Sequence, residues 1–201
     1  MQQVKNVIDS IISLQLKPLL KDEGYRKASR TFRYFGNDFV KVVNVQASSW
    51  NSSEDGKFTI NLGVYFPKLA EVHDYLDVSD KPTESECLVS TRIGLLMPIK
   101  EDFWWSVDKK SSISKLSQEL SDTWLRHGKP WIDKHSDLFE ARKFYLDNFY
   151  FPYIVAMMSV VLGDMKMATQ MATKTVADQP EMYERVSKWA SKNNIKLKKA
   201  G

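Results

Sequence analysis

The sequence predicts an α+β fold: a four-stranded or slightly larger antiparallel sheet, packed by an N-terminal helix and followed by a helical C-terminal region. Three observations carry this. The apolar spacing is helical up to Gly24 and falls to a period of two from Tyr25 to Phe66, in segments joined by short turns. It becomes helical again from Ser111 onward. Residues 1–143 are read as the α+β domain and 144–201 as a helical extension.

In the first element, Val4, Val7, Ile8, Ile11, Ile12, Leu19 and Leu20 recur at three- and four-residue spacing. Pro18 lacks a donor and predicts a kink or restart, and Gly24 a stop. Tyr25–Phe35 reads as the first strand, ending at the turn Gly36-Asn37-Asp38. In the second, Phe39–Ser48, Val43, Val45 and Ala47 alternate with Asn44, Gln46 and Ser48. In the third, Phe58–Phe66, Phe58, Ile60, Leu62 and Val64 alternate with Thr59, Asn61, Gly63 and Tyr65. The first of these sets is expected to be buried against Ile8, Ile11 and Ile12. Pro67–Leu76 reads as a short helix, Val78–Ser85 as a polar loop and Cys87–Met97 as a fourth strand.

Beyond Ser111, one face carries Ile113, Leu116, Leu120, Trp124 and Leu125. Aromatics crowd Phe144–Tyr153, and helices follow at Ile154–Leu162, Asp164–Ala177 and Glu181–Ser191. Around Gly163 the pattern loosely resembles one helical-hairpin repeat, with Ala168 and Ala172 at a close contact; a single copy does not make an array.

Composition is ordinary for a chain with a packed core: 43% hydrophobic and 27% charged, with a formal net charge of +4. So small an excess permits an anionic partner without requiring one; neither nucleic acid nor a membrane is expected. The lone Cys87 precludes an internal disulfide and suits a reducing compartment. Met1–Lys5 lacks the layout of a secretory leader, so the expected location is cytoplasmic, and the Asn51-Ser52-Ser53 sequon then has no role.

Motifs for phosphate loops, dinucleotides, nucleophile elbows and zinc are missing, so no cofactor or metal is expected. His73, His127 and His135 are scattered. Cys87 shares strand parity with Val89, Ile93 and Leu95 and reads as a small buried residue rather than a nucleophile. Trp50, Trp104, Trp105, Trp124 and Trp131 read as packing residues among helical apolar neighbours. The tail lysines Lys192, Lys196, Lys198 and Lys199 solvate the chain end and favour the negative pole of the last helix.

The candidate site is a set of polar residues on the strand parity opposite the core: Asn44, Gln46, Ser48, Asn61 and Arg92. Gly63 and Gly94 follow two residues after Asn61 and Arg92, leaving room above the sheet. Amides both donate and accept, and the arginine fork suits carboxylate or phosphate. Arg26 and Arg30 share a face with each other; charges on both parities leave open whether it is Arg92's face. The alternative is an ordinary solvated sheet face.

Gly24-Tyr25-Arg26-Lys27, Arg30-Thr31-Phe32, Asn44-Val45-Gln46 with Ser48, Phe58 to Tyr65, Cys87, Arg92-Ile93-Gly94 and Trp104-Trp105 occur in this order. Together they resemble an uncharacterised bacterial domain-of-unknown-function family, DUF4304-like, over roughly Leu14 to Trp131. The resemblance implies no activity, but its motif residues coincide with the polar strand positions. The expected function is a non-enzymatic binding module for an anionic protein or small-molecule partner. A concrete form is a bacterial protein that neutralises or regulates another. The alternative is a hydrolase or transferase acting on a phosphorylated small molecule, with Arg92 and Arg30 holding the anion. A carboxylate or histidine near Arg92 in a pocket would favour the enzyme, and an open face the binder.

Overall fold

The computed structural model describes residues 2–74, 77–148 and 151–197. Leu76, at the end of one expected helix, Phe149 and Tyr150 in the aromatic stretch, and the tail lysines Lys198 and Lys199 lie outside them. The chain divides into two units, Met1–Tyr65 with Lys81–Lys134, and Phe66–Asp80 with His135–Gly201. Where the sequence reading places a single cut after residue 143, this division interleaves: the segment after the long central strand joins the C-terminal helices.

In the first unit, α1 (Gln2–Ile11) passes through a π-helical turn, Ile12–Leu16, and resumes as α2 (Lys17–Asp22). Pro18 is the second residue of α2, directly after the π-helical turn. Leu16 and Lys17 keep helical backbone angles, so the helix runs on through a change of hydrogen-bond register where a kink or restart is expected. Gly24, at φ 89°, closes the helix with its N–H on the Lys21 carbonyl. Six strands then form one antiparallel sheet: β1 (Arg26–Ala28), β2 (Thr31–Phe35), β3 (Val40–Ala47), β4 (Asp55–Tyr65), β5 (Val89–Arg92) and β6 (Trp105–Asp108). The order is β1-β2-β3-β4-β5, and β5 and β6 share the free edge of β4, pairing with residues 61–64 and 55–58.

Three strand expectations are corrected. Tyr25–Phe35 is not one strand but a hairpin, reversed at Ser29-Arg30 with Ser29 at φ 55°. Cys87–Met97 keeps strand geometry only over β5, after which Ile93–Leu96 winds into a 3-10 turn. Trp105 lies in β6, not among helical neighbours; its ring stacks on Phe58 at 5.4 Å.

One sheet face carries Phe32, Val43, Val45, Phe58, Ile60, Leu62 and Val64, all buried, as are Ile8, Ile11 and Ile12. Helix α1 contacts β4 and β6 and packs beside α4 (Ile113–Thr123), so the expected core forms. A second π-helical turn, Trp124–Gly128, leads into α5 (Lys129–Lys134). Trp124 and Trp131 are buried, but Leu125, on the expected apolar face, is exposed. Trp50 is exposed too, contrary to its reading as a packing residue.

The second unit holds α3 (Pro67–Val72), α6 (Leu138–Asn148), α7 (Pro152–Val161), α8 (Met165–Asp178) and α9 (Tyr183–Lys192). Ala168 and Ala172 are buried where α7 meets α8. The buried Arg142 donates to Ser159 Oγ (3.0 Å) and Asp164 Oδ2 (2.9 Å), and Asp164 also caps α8. Among the described residues, no helix is long and apolar enough to cross a membrane.

Candidate functional site

The face of the sheet opposite the core is partly covered by the chain itself. At one end Arg33 Nε donates to the Pro82 carbonyl (2.7 Å), bringing the segment before β5 over Val42 and Gly63. A Cβ on Gly63 would stand 2.7 Å from Cys87 Cβ and Sγ. At the other end Thr59 Oγ1 donates to the Phe103 carbonyl (2.8 Å). A Cβ on Gly94 would stand 2.3 Å from the Glu101 oxygen. Both glycines therefore admit the protein's own chain. The expectation that they leave room for a ligand is corrected at both positions.

Between the two covers an open groove of ≈ 570 Å³ remains, its floor made by Gln46, Asn61 and Arg92 and its walls by Glu84, Ser85, Leu95 and Asp102. Asn44, Asn61 and Arg92 are cross-strand neighbours on β3, β4 and β5. Arg92 is held on three sides. Its Nε donates to Asn61 Oδ1 (3.1 Å), its Nη1 to Asp102 Oδ2 (2.7 Å) and, at a long 3.5 Å, its Nη2 to Gln46 Oε1. Asn61 Nδ2 donates to the same Gln46 oxygen (2.8 Å), and the guanidinium lies 5.1 Å from the Trp104 ring centre. The hydrogen bond from Arg92, then one from Trp104, holds the Asp102 carboxyl below the usual carboxylate range.

Of the sequence-derived candidates, Gln46, Asn61 and Arg92 come together. Asn44 is on the same face but is bonded to Thr31 Oγ1 (2.9 Å). Ser48 lies in a different groove. Arg26 sits on edge strand β1 with its guanidinium 5.9 Å from the Phe35 ring centre. Arg30 is in the hairpin turn, not beside Arg26 in a strand, and donates to Asp9 Oδ1 (2.7 Å) and the Lys5 carbonyl (3.0 Å). Sequence reasoning missed Asp102 and Glu84. The approach of Asp102 to Arg92, and the place of Glu84 in the groove wall, are set by connections outside the strands, and strand parity carries no signal of them.

Cys87 is buried, donates from Sγ to the Thr83 carbonyl (3.3 Å), and burial pushes its thiol far up. That leaves little thiolate for nucleophilic work.

The family model for a domain of unknown function, DUF4304, matches residues 16–134, more than half of the chain. The chain belongs to this family. The match spans β1 to α5 and contains the whole groove. No curated protein matches, and no solved structure does.

Proposed function

We propose that this DUF4304 chain is a non-enzymatic, cytoplasmic binding module that receives a carboxylate of a protein or small-molecule partner over Arg92. The observation supporting this is the convergence of Gln46, Asn61 and Arg92 at the floor of an open groove, with the acid that meets Arg92 standing at the exposed rim. The two amides fix the plane of the guanidinium; Asp102 engages one terminal nitrogen. The Asp102 side chain is 55% exposed and that of Arg92 31%. An ion pair so placed contributes roughly 0–1 kcal/mol, so a ligand carboxylate offering a two-point contact competes with it. Glu84 and Asp102 make the rim acidic, which favours a single carboxylate over a multiply charged phosphate.

Asp102 is also the nearby carboxylate that would favour an enzyme. Its carboxylate is engaged by Arg92, and among the described residues neither a histidine nor a cysteine lines the groove beside it to complete a nucleophile–base pair, which leaves the binding reading better supported. A reducing compartment suits the single buried thiol.

The test is calorimetry and melting of the full chain with acetate, succinate, citrate, inorganic phosphate and a Glu-rich peptide. Acetate, the singly charged carboxylate, should raise the melting temperature by mass action, and should do so more than phosphate or the multiply charged citrate at equal concentration. Asp102→Asn should enlarge the effect, and Arg92→Met should abolish it with the circular dichroism spectrum unchanged. Equal binding by Arg92→Met overturns the reading.

A further inference from the structure

Trp50 stands in the β3–β4 connection with 92% of its surface exposed, although an indole is among the side chains that gain most from burial. The connection that presents it is braced. Ser48 Oγ accepts from the Trp50 backbone N–H (3.2 Å). Asn51 Oδ1 accepts from the Lys57 N–H (2.8 Å), and Asn51 Nδ2 donates to the Lys57 carbonyl (3.1 Å). Residue 56 is glycine where a Cβ would stand 2.6 Å from Asn51 Cγ, so the bracing amide needs that space.

Next to the indole the outer sheet face forms a groove of ≈ 550 Å³. The Ser48 N–H donates to the Lys57 carbonyl, and Lys57 pairs with Ser106, which places Ser48, just past the end of β3, in one row with Lys57 on β4 and Ser106 on β6. In the next row Asp55 faces Asp108 directly, an arrangement of like charges that costs energy unless donors approach it. Asp55 Oδ1 accepts from Ser52, and Asp108 Oδ1 from Ser111 and the Lys110 N–H, leaving further acceptor capacity on each carboxylate. Among the described residues, the Trp50 indole, the Ser106 hydroxyl and the Lys57 ammonium have no hydrogen-bond partner.

A flat apolar ring beside alternating donors and acceptors matches a pyranose, whose C–H face is apolar and whose hydroxyls each donate and accept. An aromatic anchor for a protein partner sits instead at the centre of a well-packed, desolvated patch. Here the lining apart from Trp50, Gly56 and the buried Val107 is polar. A metal is a poorer fit, since no group of three suitable ligands exists among the described residues. We propose that the groove between Trp50 and the Lys57–Ser106 row binds a neutral saccharide, with the sugar stacked on Trp50 and its hydroxyls on Asp55, Asp108, Lys57 and Ser106. This site shares no lining residue with the Arg92 groove and stands or falls separately from it.

The full chain would be titrated with glucose, galactose, mannose, N-acetylglucosamine and their β-1,4-linked di- and trisaccharides, read by calorimetry and by the Trp50 indole NMR signal. At least one sugar should shift that signal saturably. Trp50→Ala should weaken its binding at least about tenfold, the scale of one lost ring contact, while Trp50→Phe retains most of it. Since Trp50 is exposed, both variants should melt with the wild type; Asp108→Asn supplies a second loss of binding by a separate contact. No shift with any sugar, unchanged binding by Trp50→Ala, or a Trp50-dependent self-association in sedimentation overturns the proposal.

Discussion

Gly94 carries the tightest constraint near the Arg92 groove. A methyl there would meet two backbone atoms, the Glu101 oxygen at 2.3 Å and the Phe103 nitrogen at 2.5 Å, and backbone yields less readily than a side-chain end. Gly94→Ala should destabilise the chain by roughly 1–3 kcal/mol, the usual cost of overpacking. It should also push the 101–103 segment outward and separate Asp102 from Arg92. A denaturant midpoint within experimental error of wild type would show that the segment yields freely. Residue parity was legible in the sequence: Asn44, Gln46, Asn61 and Arg92 do share the face opposite Leu62, because side chains must alternate along a strand. What fills the space above a glycine is decided by a distant loop. Cys87 over Gly63 and Glu101 over Gly94 therefore left no trace in the strand pattern.

At the scale of elements, β3 was read to within a residue at each end and β4 from Phe58 onward, because Val43, Val45, Phe58, Ile60, Leu62 and Val64 bury one face; the start of β4, Asp55–Lys57, lay outside the expected strand. The β1–β2 hairpin was missed because Ser29-Arg30 holds none of the Gly or Asn residues that signal a two-residue reversal. β6 was missed for another reason. Its period-two pattern is present, with Trp105 and Val107 buried and Ser106 and Asp108 exposed, but four residues between the expected fourth strand and the helical pattern from Ser111 are too short a run to stand out as a strand. The hairpin offers a direct test. Ser29 holds a left-handed conformation (φ 55°) that costs a non-glycine residue about 1–2 kcal/mol, partly offset in a glycine variant by its unfolded-state freedom. Ser29→Gly should raise stability by up to about 1 kcal/mol in urea titrations. A clear loss would mean that the serine side chain contributes more than its backbone conformation costs.

Across the whole molecule the tryptophans are divided unevenly: Trp50, Trp104, Trp105, Trp124 and Trp131 belong to the first unit, and Trp189 alone reports on the second. Its indole N–H donates to the Val72 carbonyl (2.8 Å), one residue before His73. Around that point Arg185 Nη2 donates to Asp74 Oδ1 (2.8 Å), Arg185 Nε and the Tyr153 hydroxyl donate to Asp74 Oδ2, and Glu181, Glu184, Lys188 and Lys192 line the adjoining cavity. Burial pushes His73 below its ordinary value of 6.5; Asp74 opposes that shift and Arg185 adds to it. Burial also works on Asp74, in the upward direction, but hydrogen bonds led by the one from Arg185 outweigh it and leave that carboxyl below 3.8. A group whose pKa falls on folding binds more protons when unfolded, so its stabilisation is full above the unfolded value and is lost as pH falls through the folded one. For His73 the loss begins below about pH 6.5, while Asp74 remains ionised and enters only in stronger acid. Urea titrations read by the Trp189 indole NMR signal should therefore show a lower midpoint at about pH 5.5 than at about pH 7.5, a window set by the histidine. His73→Gln removes the titrating group and should flatten that difference, whereas Lys188→Gln, which leaves the histidine in place, should preserve it. If His73→Gln retains the full drop in midpoint, the acid sensitivity of this unit comes from another group.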